Sequence, residues 1–70
     1  MKLIKIHEEV WEKGSFTVKE RYLNPIQIIS ISDYLDSTGK RKAKSEIMIG
    51  SYTTYLIESV NDIQNLLNNE

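Results

Sequence analysis

Hydrophobic and polar positions alternate with period two along most of this chain and change to helical spacing only near its end. Ile4 and Ile6 alternate with Lys5 and His7, which predicts a first strand over residues 2–7. Glu8 and Glu9 end its apolar pattern, and Val10 and Trp11 are open to an irregular continuation before a turn at Glu12-Lys13-Gly14-Ser15. A second strand over residues 15–23 carries Phe16, Val18 and Tyr22 on one face and Thr17, Lys19 and Arg21 on the other, a half-buried pattern in which Glu20 marks an edge or rim. Asn24-Pro25 predicts a tight turn, because Pro removes a backbone donor and biases Asn24 away from helix. Residues 26–35 form a third, isoleucine-rich strand whose doublet Ile28-Ile29 points to both faces. It is either buried on both sides or bulged by one residue, and with a helix available as cover the reading favours a central strand.

Asp36 to Lys44 reads as a polar hairpin loop with a mobile tip, too long for a two-residue turn. Ile47 and Ile49 then alternate with Glu46, Met48 and Gly50 in a strand over 45–50, and the aromatic and β-branched run from Tyr52 to Ile57 predicts its partner over 52–58. Ser59, with Asp62 three residues on, supplies an N-terminal cap for a helix over 60–68. Val60, Ile63, Leu66 and Leu67 form its apolar stripe, while Asn61, Asp62, Gln64, Asn65 and Asn68 face water. Such a helix, about 12 Å from Val60 to Leu67, is too short to hold without packing on the sheet.

The fold class that follows is α+β, mostly β: one domain over 1–70, a small antiparallel five-stranded twisted sheet or partly open barrel with one C-terminal helix packed on it. A chain of 70 residues buries only about 60% of the surface its unfolded form exposes, so a homo-oligomer is expected. The absence of Cys fits a reducing compartment, no run approaches the length of a membrane span, and the N-terminus lacks a signal-peptide core, so a cytoplasmic protein is expected. Abundant Ile, Lys and Asn fit an AT-rich bacterial or phage genome.

Charge alters this picture at one place. The net charge is −1, yet Lys40, Arg41, Lys42 and Lys44 hold four of the nine basic residues and make one corner positive. These four are the candidate contacts for nucleic acid, with Tyr34, Tyr52 and Tyr55 as stacking surfaces for single-stranded bases. Arg21 or the same loop is the candidate counter-charge for a small anionic ligand, such as a nucleotide, held in a cleft between subunits. Catalytic chemistry has little to stand on. His7 is the only His, and Glu8 and Glu9 point to opposite faces of a strand, so no enzyme, metal site or cofactor is expected. Trp11, Phe16 and four tyrosines are more aromatics than a core of this size need hide, which makes Trp11, Met48, Tyr52 and Tyr55 candidate interface residues. The leading expectation is a non-enzymatic binding or adaptor module that meets itself or another protein through a β-surface. Nucleic-acid binding through the basic hairpin is the alternative, and anionic-ligand binding between subunits a further one.

The segment Tyr22-Leu23-Asn24-Pro25-Ile26-Gln27-Ile28-Ile29-Ser30-Ile31, followed by Ile57-Glu58-Ser59-Val60-Asn61-Asp62-Ile63, resembles the small FlbD-type flagellar proteins and related short phage and bacterial proteins of unknown function. The chain departs from them in the longer hairpin from Asp36 to Lys44 and in Asp62, where the family tends to have Glu. The resemblance implies a compact sheet plus helix and no known catalysis. A weaker likeness, to the β core of LytTR DNA-binding domains, rests on the isoleucine-rich strand and hairpin before a terminal helix and implies DNA binding.

Overall fold

A computed structural model describes residues 2–68; Met1, and Asn69 of the Asn-rich end, lie outside the described residues. Five strands, β1 (Ile4–Glu12), β2 (Ser15–Leu23), β3 (Ile28–Asp33), β4 (Ser45–Ile49) and β5 (Tyr52–Leu56), form one open antiparallel sheet in the order β2-β1-β5-β4-β3. One helix, α1 (Val60–Asn68), follows them. The fold is therefore α+β and mostly β, as the periodicity implies.

Two tight turns fix the register. Lys13 (φ 51°) and Gly14 (φ 82°) both take positive φ, as a two-residue type I′ hairpin requires, and set Glu12 opposite Ser15 and Ile4 opposite Leu23. At the other hairpin Gly50 (φ 57°) takes the first central position and sets Ile49 opposite Tyr52. β2 and β3 are opposite edges, yet only Asn24 to Gln27 join them, the last three as a single 3₁₀ turn. From Leu23 to Ile28 an extended chain reaches about 17 Å, short of the roughly 19 Å across four strand spacings, so the sheet must coil toward itself at this end.

The core lies on one face, where Ile4, Ile6, Leu23, Ile47, Ile49 and Leu56 meet Ile63 of α1. Ser59 and Asp62 exchange backbone-to-side-chain hydrogen bonds of 3.2 and 3.1 Å, the reciprocal cap that starts the helix. Its junction with β5 is pinned twice. Ser45 Oγ donates to the Glu58 carbonyl (2.7 Å), and Glu58 Oε1 accepts from the His7 N–H (2.8 Å) while Oε2 lies 2.6 Å from His7 Nδ1.

Three features depart from the sequence expectations. β1 does not stop at His7 or continue irregularly but runs in unbroken register to Glu12, because both glutamates find partners inside the fold. The third strand is not central: β3 is an edge, and Ile29 is the extra residue of a bulge between Ile28 and Ser30, 63% exposed. The apolar side of β2 does not face the core either. Leu23 shares the face of Ile4 and Ile6, so the alternation turns Phe16, Val18 and Tyr22 to the face without the helix, where Val18 is 49% and Tyr22 63% exposed.

Candidate functional site

The face without the helix carries the most developed constellation. Glu9, Trp11, Phe16, Val18, Tyr55 and Met48 fall on it by register. Across its middle lies the segment 34–44, joined to the sheet at its ends by Tyr34 N–H to the Lys44 carbonyl (3.1 Å) and Lys44 N–H to the Leu56 carbonyl (2.8 Å). Asp36 turns it back by accepting from the Arg41 N–H (2.7 Å), the Thr38 N–H (3.2 Å) and the Thr38 hydroxyl (2.8 Å). The Arg41 N–H, with Thr38 next, holds the Asp36 carboxyl below its ordinary range. The return limb of the loop, Arg41 to Lys44, is thus a strap tied to the sheet, while Ser37 to Lys40 at its tip are exposed.

Glu9 fastens the strap. Its carboxylate accepts from Arg41 Nε (2.9 Å), the Lys42 N–H (2.8 Å) and the Ala43 N–H (3.3 Å), and Arg41 Nη2 also reaches the Glu9 carbonyl (3.2 Å). The Arg41 guanidinium lies 4.4 Å from the Phe16 ring centroid, 4.2 Å from that of Tyr55 and 5.6 Å from that of Tyr34. Burial pushes the Glu9 carboxyl up, but the three hydrogen bonds and the Arg41 charge together outweigh it and hold the group below the usual carboxylate range. For Tyr55, burial is again the leading cause, and with the neighbouring Glu46 it raises the hydroxyl.

The four basic candidates therefore divide. Arg41 is occupied by Glu9, whereas Lys40, Lys42 and Lys44 point outward, exposed and in no ion pair among the described residues. In an extended segment they stand about 6.6 Å apart, two residues at a time. Arg21, on the opposite face, donates to Glu8 Oε1 (2.8 Å), whose other oxygen accepts from Thr54, and this hydrogen bond raises the arginine's pKa. Beside that pair a cavity of about 80 Å³ is lined by Leu23 of β2, Gln27, and Ile49 and Tyr52 of the β4–β5 hairpin.

The interface candidates divide too. Trp11 is 63% exposed and meets Phe16 edge-on at 4.9 Å, and Met48 is exposed on the same face. Tyr55 lies half-buried under Arg41, while Tyr52 is exposed on the helix face. Sequence reasoning missed Glu9 and Phe16 as two of the residues that hold Arg41. The alternation Lys40-Arg41-Lys42-Ala43-Lys44 was a usable signal, since Ala43 among cations marks an inward position and Arg41 shares its parity. His7, bracketed by Glu58 and, at 3.9 Å, Glu20, serves the β5–helix junction. Among the described residues no three His, Asp or Glu side chains gather as metal ligands, and no helix is long and apolar enough to cross a membrane.

No family model, no curated protein and no solved structure matches this chain.

Proposed function

We propose that the protein is a cytoplasmic, non-enzymatic binding module that self-associates and meets its partner through the sheet face opposite the helix. The observation that carries this reading is Trp11, 63% exposed beside Phe16 and Val18 on a strand of a chain with little core to spare. A surplus indole on a rigid hairpin is a ready anchor for an interface. Sedimentation velocity at tens of micromolar is expected to show a defined oligomer. Replacing Val18 by Ser is expected to weaken it about tenfold, since burying such an exposed apolar side chain contributes about 1.5 kcal/mol or more. A wild-type protein that stays monomeric under these conditions overturns the reading.

A second reading, single-stranded nucleic acid as the partner, is favoured by the outward row Lys40, Lys42 and Lys44 on a segment that crosses the same sheet face as the exposed Trp11. Three phosphate contacts predict that log affinity falls with log salt at a slope of about −2, from about 0.7 per contact. Replacing the three lysines by Ala, with Arg41 kept, is expected to abolish low-salt binding to an oligonucleotide. Equal binding by both proteins, or none by either, would dismiss it.

A further inference from the structure

Self-association needs a surface, and the two sheet edges are unequal. β3 is a short edge interrupted by the bulge at Ile29 and preceded by Pro25, both of which hinder pairing with another chain. β2 runs for nine residues with no bulge and no Pro. Starting from the hydrogen-bonded pair Glu12–Ser15 that flanks a two-residue turn, alternate pairs exchange both bonds, so Thr17, Lys19 and Arg21 direct their backbone groups to β1. The backbone groups of Phe16, Val18 and Glu20 point outward. The same parity on β1 directs His7 away from β2, where its carbonyl accepts from the Ile57 N–H at 2.9 Å.

We propose that two copies join edge to edge along β2, antiparallel, with Val18 opposite Val18 of the second copy. This inference rests on the self-association just proposed and names its surface. A twofold axis through the edge keeps each residue opposite one on its own face, so only pairings about a single central residue are allowed. Centred on Lys19, the ladder sets two lysines opposite each other and runs the turn at Lys13-Gly14 of the second copy against the connection at Asn24-Pro25. Centred on Glu20, it opposes two glutamates and sets Lys19 against Arg21 twice. Like charges directly opposite are destabilising. Centred on Val18, the pairs are Val18 with Val18, Thr17 with Lys19, Phe16 with Glu20 and Ser15 with Arg21, with no like charges opposed. The ladder ends at Arg21, before the chain leaves the sheet. Centring on Thr17 also opposes no charges but shortens the ladder to five residues and forfeits hydrogen bonds. In the resulting ten-stranded sheet both helices lie on one face. Both clusters of Trp11, Phe16 and Val18 lie on the other and become one continuous surface across the axis.

Amide hydrogen exchange measured by NMR on the whole protein, dilute and concentrated, tests this directly. The amides of Phe16, Val18 and Glu20 are expected to exchange freely when dilute and to gain protection on concentration, while those of Thr17, Lys19 and Arg21 are protected throughout. Val18→Pro removes an outward donor and leaves the β1 ladder its own, so it is expected to give a folded monomer. Val18→Lys, which opposes two cations only in this register, is expected to weaken association about tenfold or more. An oligomer in which Phe16, Val18 and Glu20 stay unprotected overturns edge pairing while leaving self-association intact. One that ignores Val18→Lys overturns the register, and a monomer at every concentration overturns the parent reading as well.

Discussion

Glu9→Ala is expected to remove a large share of the protein's stability and to lower its unfolding midpoint sharply. The Glu9 side chain is 2% exposed, and its carboxylate is the common acceptor for Arg41 Nε and for the Lys42 and Ala43 backbone N–H groups. Truncating it leaves a largely buried guanidinium without its counter-charge, which costs about 3–5 kcal/mol in comparable sites. A domain of this length has roughly 4–10 kcal/mol in total, so the loss takes a large share of it. Urea denaturation followed by far-UV circular dichroism measures the effect. A midpoint within a few tenths molar of wild type would show that the strap is not held by Glu9.

The double replacement Glu9→Leu with Arg41→Met separates charge from hydrogen bonding. It removes the stranded cation, and exchange of a buried pair for apolar groups is often nearly neutral. The Lys42 and Ala43 N–H groups remain without their acceptor, each at about 1–3 kcal/mol where buried. The double variant should therefore recover only part of what Glu9→Ala loses. Acid should act on the same group. The folded Glu9 carboxyl sits below its ordinary value of 4.5, so the unfolded chain takes up its proton at the higher pH. The stability it contributes is whole above that value and is lost as the pH falls through the folded value. Glu9→Gln should flatten this part of the acid dependence.

The same carboxylate shows where local pattern stops being informative. A strand read by periodicity ends at Glu8 and Glu9, because a charge in a half-buried strand is costly unless paired. The partner of Glu8, Arg21, lies on the next strand, but the partner of Glu9, Arg41, is 32 residues away in the segment between β3 and β4. Strand order behaves alike. The doublet Ile28-Ile29 admits a bulge or a central strand, and only the short connection at Asn24 to Gln27, which carries the chain across to the far edge, decides it. β2 misleads for a different reason. Its three large apolar residues outnumber Leu23, but the turn at Lys13-Gly14 fixes the register, and Leu23 alone falls opposite Ile4 on the core face. The mismatch that this leaves, an apolar strand face turned to solvent, is what argues for a partner. By contrast, the helix, its cap and the β4–β5 hairpin were legible because each is set by neighbours within a few residues.

Ile63→Ala is expected to cost about 2–5 kcal/mol, the range for truncating a buried Ile where the site relaxes only partly. Ile63 is fully buried, the only such residue among those described in α1, and Leu66 and Leu67 pack against the core partly buried. A nine-residue helix, about 13 Å long, has no stability of its own to offset the loss. The consequence extends to the sheet. Ile47 and Leu56, both at 0% exposure, belong to the same core cluster as Ile63, and the core has few other layers to contribute. Loss of helical and strand signals in one urea transition, at a markedly lower midpoint, is therefore expected, whereas Ile63→Val should cost about 0.5–1.5 kcal/mol and Leu66→Ala less than Ile63→Ala. If Ile63→Ala melted the helix first and left the sheet at its original midpoint, the coiled sheet and its Glu9 strap would be holding themselves without cover. The acid and Glu9 effects would then measure the stability of the sheet alone.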